Sequence, residues 1–152
     1  MLIRWLLAAL HLLPLGLGLG AVWWRGVTLG GPLDRVGLQR VFLADTIWGI
    51  AAVLWIVTGL MRAFGGYEKG TEYYMHNGAF LIKMVLLALI LILEIWPMVT
   101  LIQWRIRQSR RTLTDTNAAN AIARISWIQT GLVILMIFAA TAMARGLGAG
   151  MW

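Results

Sequence analysis

The chain has 152 residues, is 61% hydrophobic and only 12% charged, carries a formal net charge of +7 and contains no cysteine; its mean hydropathy is +0.80. Soluble domains carry about 25% charged residues, so a chain this short and this apolar has lipid as its main solvent. The absence of cysteine excludes disulfides, thiol catalysis and thiolate-held zinc or iron–sulfur sites, and arginines that flank apolar runs point to topology and anionic headgroups rather than nucleic acid.

The first apolar run covers 2–24. Arg4 followed by apolar residues has the look of a cleavable leader. The run continues through Trp23 and Trp24, however, and Leu17-Gly18-Leu19-Gly20-Ala21 is a poor cleavage context. It reads as a retained membrane helix. Further helices are predicted over 39–64, 77–104 and 121–145. Each reaches the ~20 residues that span the hydrocarbon core. Inside a bilayer the backbone must satisfy its own hydrogen bonds, and apolar runs of this length do so as helices. The connections are short. Gly30-Gly31-Pro32-Leu33-Asp34 reads as a turn, as does Gly65-Gly66-Tyr67-Glu68-Lys69-Gly70, and Ser109 to Asn117 is polar and basic. The expected fold is all-α, an integral membrane four-helix bundle forming one domain over 1–152.

Charge sets the expected orientation. Arg25, Arg35 and Arg40 flank the first loop, and Arg105, Arg107, Arg110, Arg111 and Arg124 the third. The other side holds Arg4, Arg62, Lys69 and Arg145, with Glu68 and Glu72 nearby. The positive-inside rule then predicts cytoplasmic first and third loops, and both termini periplasmic in a bacterial inner membrane. Trp5, Trp23, Trp24, Trp96, Trp104 and Trp152 fit interfacial positions, whereas Trp48, Trp55 and Trp127 lie deeper.

The ionisable residues inside the helices carry most of the functional signal, because each is costly in lipid and should face the bundle interior or a wet cavity. Arg4, His11, Gly18 and Arg25 repeat by sevens. Asp45, Trp48, Ala52, Trp55, Gly59 and Arg62 follow a three–four alternation, as do His76, Phe80, Lys83, Leu87, Ile90 and Glu94. Arg124, Gly131, Phe138 and Arg145 again repeat by sevens. Each helix therefore gathers its charges on one stripe, the pattern of four helices around a polar interior. At 1.5 Å per residue, His11 and Lys83 each lie roughly 10–13 Å from the start of their helices and can meet in the outer half. Asp45, Glu94 and Arg124 fall nearer the cytoplasm, where Arg124 or Arg40 is expected to neutralise the carboxylates. Each residue also has a plainer reading. Lys83 is within snorkelling reach of the interface, His11 can bond a helix carbonyl, His76 sits at a helix start, and the Asp45, Glu94 and Arg124 network is structural rather than catalytic. Gly16 and Gly20 form a small-xxx-small pair, which usually marks close helix packing.

Without cysteine, a haem would take its axial ligands from His, Met, Tyr or Lys. His11 is the deeply placed histidine, so the choices are a His11–Lys83 pair or a five-coordinate His11 site; a chain of bis-histidine haems is excluded.

The strings LHLLPLGLGLGA (10–21), RVFLADTIWGIAA (40–52), EKGTEYYMHNGAFLIKM (68–84), EIWPMVTLIQWR (94–105) and RISWIQTGLVILMIFAATAMARG (124–146) together resemble a family of small four-helix bacterial membrane proteins of uncharacterised function. More distantly, the chain is similar to HemJ-type protoporphyrinogen oxidases and CopD-type membrane proteins. That likeness rests on a histidine early in helix one, an arginine entering helix two and a lysine early in helix three, here His11, Arg40 and Lys83. It implies porphyrin chemistry with haem b as the cofactor and His11 as the metal ligand. HemJ-type proteins carry a histidine close before the lysine, whereas His76 is seven residues away. Three functions follow as expectations: a haem- or porphyrin-binding redox protein; a non-catalytic subunit or assembly factor of a larger membrane complex, or a homo-oligomer; or a small transporter using Asp45 and Glu94 as proton or cation sites.

Overall fold

The computed structural model describes residues 2–65, 76–112 and 114–146. They form four helices: α1 (Leu2–Leu29), α2 (Arg35–Phe64), α3 (Gly78–Ser109) and α4 (Ala119–Ala144). All four are long and apolar enough to cross a membrane. Lys69, Glu68, Glu72, Trp152 and most of the expected turn over 65–70 lie outside the described residues.

Two helices run past their expected ends. α1 continues to Leu29 and α3 to Ser109, so Arg25, Arg105 and Arg107 are helical residues rather than loop charges. Arginine is a good helix former, and no proline interrupts either extension. The starts of α2 and α3 are capped by side chains. Asp34 accepts from the Gly37 amide, and Asn77 accepts from the Ala79 and Phe80 amides. Each cap satisfies amides that the first helical turn leaves without partners.

α1 packs along α2 and α4, and α4 also packs on α3, while α2 and α3 meet only sparsely. The bundle therefore has a seam between α2 and α3. Its core is thickest at the end holding the α1–α2 and α3–α4 connections, here the arginine-rich end. There Leu29, Leu38, Val41, Leu101, Trp104 and Ile122 pack together. A middle cluster contains Val22, Trp48, Trp55, Ile90, Val133 and Met136. At the termini end the packed cluster shrinks to Ala63 and Phe80, with Met84 and Met143 against it. The core thins there, and a cavity of about 430 Å³ opens.

Glycines show where backbones approach. A Cβ at Gly18 would stand 3.3 Å from Ala51 Cβ and 3.4 Å from the Trp48 ring, and one at Gly26 3.3 Å from the Trp127 ring. The small-xxx-small expectation fell on the wrong pair: Gly16 and Gly20 have open space beside them. Both are on the face turned away from α2, so close packing runs through Gly18 instead.

The α4 stripe is also corrected. Arg124, Gly131 and Arg145 are exposed, and Phe138 is 68% exposed. The face of α4 that enters the bundle carries Ile122, Ser126, Gln129, Val133 and Met136. Charged residues mark the buried stripe in α1, where His11, Gly18 and Arg25 are all buried. In α4 the markers are an uncharged amide and a hydroxyl.

Candidate functional site

Two polar regions occupy the interior. The first, toward the arginine-rich end, centres on Arg25. Its side chain is completely buried, and all five guanidinium hydrogens have acceptors. Nε donates to Ser126 Oγ at 3.0 Å. Nη1 donates to Asp45 Oδ1 at 2.9 Å and Glu94 Oε1 at 2.7 Å. Nη2 donates to Glu94 Oε2 at 2.9 Å and Gln129 Oε1 at 2.8 Å. The Glu94 contact is the two-pronged geometry that matches a planar guanidinium to a carboxylate. Side chains on a helix lean toward its N-terminus, so Arg25, one turn from the end of α1, reaches back toward the membrane centre.

The acceptors are themselves held. Gln129 Nε2 donates to Glu94 Oε2 at 2.8 Å and to the Ile90 carbonyl at 3.2 Å, and Ser126 Oγ donates to the Ile122 carbonyl at 2.9 Å. Arg105 Nη2 donates to Asp45 Oδ2 and to the Phe42 carbonyl, each at 2.8 Å. Two arginines thus balance two carboxylates, and every helix contributes a member. Removing one partner from such a buried pair typically costs about 3–5 kcal/mol. Charge balance leaves no net negative seat for a cation.

The second region lies at the termini end. A cavity of about 430 Å³ is lined by His11 and Leu15 of α1, Trp55 and Arg62 of α2, Lys83 of α3 and Met136 of α4, among others. His11 is buried and stacks on Trp55 with ring centroids 5.4 Å apart and planes 19° apart. Lys83 Nζ stands 5.4 Å from the centroid of the same Trp55 ring, within cation–π range. Gly59 makes room for the imidazole, because a Cβ there would stand 3.0 Å from His11 Cε1.

One hydrogen bond ties His11 to α2. Its Nδ1 lies 3.0 Å from Thr58 Oγ1. A threonine hydroxyl has one proton, and that of Thr58 goes to its own helix, with the Leu54 carbonyl 2.7 Å away and the Trp55 carbonyl 3.1 Å away. With its proton so engaged, Thr58 Oγ1 is an acceptor for a hydrogen on His11 Nδ1. In the neutral ring this tautomer puts the lone pair on Nε2, the nitrogen that ligates metals or takes a proton.

The structure brings His11 and Lys83 to one cavity and Asp45 and Glu94 to one cluster. The guanidinium between the carboxylates is that of Arg25, with Arg105 beside Asp45; Arg124 is exposed on α4 and outside the cluster. Arg40 is exposed in the second turn of α2, at the end of the bundle opposite to His11 and Lys83. His76 is exposed just before α3. The residues that spacing missed are Arg25, Arg105, Ser126, Gln129 and Thr58. Arg25 had been grouped with loop charges although its period-seven link to His11 and Gly18 marked it as interior. Gln129 and Thr58 carry no charge and gave no such signal. Among the described residues, no three His, Cys, Asp or Glu side chains come together to hold a metal ion.

No curated protein and no solved structure matches the chain. Residues 3–148 match the model of a family described as "Predicted membrane protein (DUF2214)". The four apolar helices and this near-complete match agree, and the chain belongs to that membrane-protein family.

Proposed function

We propose that this protein binds a porphyrin, with haem b the expected form, in the cavity at the termini end, and that this end faces the periplasm of a bacterial inner membrane. The observation that carries the reading is the place of His11 on the cavity wall with its Nδ1 3.0 Å from Thr58 Oγ1, an arrangement that turns the other ring nitrogen to ligation when Nδ1 carries the hydrogen. The surroundings fit the group. A volume of about 430 Å³ is within the roughly 300–1,000 Å³ of small-molecule pockets. Its walls are mainly apolar, with Lys83 and Arg62 among the lining residues. Bound haem would supply one-electron redox chemistry. The chain's own part is to orient the imidazole through Thr58, to place cationic side chains at the rim and to exclude water with Leu15, Phe80 and Met136. Arg40 has no role in this site.

The orientation rests on the arginines outside the Arg25 cluster. With Arg25 and Arg105 engaged in the interior, Arg35, Arg40, Arg107, Arg110, Arg111 and Arg124 still crowd one end, against Arg4, Arg62 and Arg145 at the other among the described residues. A C-terminal alkaline phosphatase fusion should be active, and a fluorescent fusion that matures only in the cytoplasm should be dark.

The test of binding is spectroscopic. Purified protein given excess haem should show a Soret band, and His11→Ala should abolish or shift it. A wild-type protein without the band would overturn the proposal. A band unchanged in His11→Ala would leave haem bound but remove His11 as its ligand.

A further inference from the structure

The four helices are not joined equally. α1 packs closely on α2 and α4, and α4 on α3, but α2 and α3 meet only sparsely. The polar ties between α2 and α3 gather at the arginine-rich end. There Arg105 Nη2 bonds Asp45 and the Phe42 carbonyl, and the Arg25 guanidinium joins Asp45 to Glu94. Toward the termini the contacts across the seam include the approach of Lys83 to the Trp55 ring and the packing of Phe80 with Ala63. The other facing residues there are mainly apolar. In lipid, apolar contact between helices has no hydrophobic driving force, because acyl chains are as apolar as leucine. Parting α2 from α3 near the termini therefore costs far less than parting them at the cluster, where buried ion pairs would be broken.

Open space follows the same seam. A cleft of about 60 Å³ is walled by Ile56, Leu60 and Phe64 of α2 and by Met84 and Leu87 of α3. It shares His11, Gly59 and Phe80 with the 430 Å³ cavity. A pocket of about 40 Å³ continues toward Glu94 and shares Ile56 and Leu87 with the cleft. Leu60 and Phe64 at the cleft and Leu91 at the pocket are exposed, which on membrane-spanning helices means contact with acyl chains. The cavity thus adjoins the hydrocarbon through the seam, at the depth of His11 rather than at the headgroups.

We propose that the α2–α3 seam, at its termini end, is a lateral portal through which a flat, apolar molecule dissolved in the bilayer enters the cavity. The ties of Arg105 and Arg25 to Asp45 hold the two helices together at one end, and the helices part beyond them. A planar ring offers its thin edge to such an opening, so it passes with the least separation. That the molecule is a porphyrin rests on the function proposed above. The route itself requires only a planar, lipid-dissolved ring.

The experiment uses the full chain in phosphatidylcholine nanodiscs with ¹³C-labelled methionine methyls. Met136 is 1% exposed and lines the cavity, and its resonance is identified by its loss in Met136→Leu. Naphthalene and metal-free protoporphyrin IX, both dissolved in the lipid, are the probes, since an aromatic ring shifts a methyl resonance only at close range. The chain has no cysteine, so Ile56→Cys with Leu87→Cys puts one thiol on each wall of the seam, to be bridged by a bis-maleimide. Both probes should shift Met136. Bridging should slow their entry by about tenfold, the change that about 1.4 kcal/mol of added barrier produces, while the same double variant with free thiols matches wild type. Should the double variant fail to fold, Leu87→Trp fills the cleft instead. Its control is Ile92→Trp, at a position 64% exposed, which should leave both rates unchanged. Entry rates indifferent to the bridge and to Leu87→Trp would overturn the portal, and so would failure of both probes to reach Met136. Naphthalene entry that the bridge slows, with no porphyrin bound, would keep the portal and remove the porphyrin reading. Porphyrin that enters at the same rate with and without the bridge would keep the porphyrin and overturn the portal.

Discussion

The two polar regions differ in how much open space they hold. Around Arg25 all five donors have acceptors, the carboxylates are balanced by arginines, and the cluster draws on every helix. Around Trp55 there is an open volume of about 430 Å³, a buried donor without an acceptor, and cationic side chains at the wall. The charge-balanced cluster ties all four helices together. The other region keeps open space beside its ionisable side chains. Charge alone does not separate the two, since both contain buried or half-buried ionisable groups. Open volume does, since Arg105 Nε beside the first region and Trp55 Nε1 in the second are both buried donors without acceptors.

The sharpest way to break this contrast is Arg25→Met. It strands Glu94 and leaves Asp45 with Arg105 alone. Removing one partner of a buried pair costs about 3–5 kcal/mol, so the variant should lose most of its monodisperse, folded yield in detergent. Arg25→Lys should fall between it and wild type, because an ammonium brings three donors where a guanidinium brings five. Normal yield and thermal stability in Arg25→Met would remove the structural role of the cluster.

Gln129→Leu is the next step down. It keeps the side-chain bulk and removes the amide that ties Arg25 to Glu94. Leaving those groups short of one partner should cost about 1–3 kcal/mol, read as a lower unfolding temperature with ligand binding at the other end unchanged. Gly59→Ala should do the reverse. Its new methyl would press on His11 Cε1, shifting the imidazole, so haem affinity should fall before stability does. An unfolding temperature that drops further than that of Gln129→Leu would mean that Gly59 serves packing rather than the cavity. The smallest effect belongs to Arg124→Ala. An exposed arginine outside the cluster should behave like Arg110→Ala in folded yield, with both within about 0.5 kcal/mol of wild type.

The membrane bundle was legible from apolar run length, because lipid leaves the backbone few alternatives. The pairing of His11 with Lys83 was legible because both depth and helical period point to one place. The arginine of the inner cluster was misassigned for a physical reason. Arg25 stands where topology signals stand, beside two tryptophans at the end of an apolar run, and only its register with His11 and Gly18 separates it from Arg35 or Arg40. The inner face of α4 was unreadable from charge, since Ser126 and Gln129 are neutral, while Arg124 and Arg145 drew attention to the opposite face. The role of Thr58 needs the partner helix, because a threonine inside a helix ordinarily bonds only its own backbone.

The saturation of Arg25 also bears on the order of assembly. The guanidinium is synthesised first, Asp45 follows on α2, Glu94 on α3, and Ser126 and Gln129 only with α4. Until the last helix is in place, a charged group near the membrane centre lacks two of its acceptors, and such a group is strongly disfavoured in lipid. The partly made bundle therefore carries an unmet demand that the final helix alone removes. A chain broken off before α4 would keep that demand, and with it a feature that membrane quality-control proteases can distinguish from the completed fold.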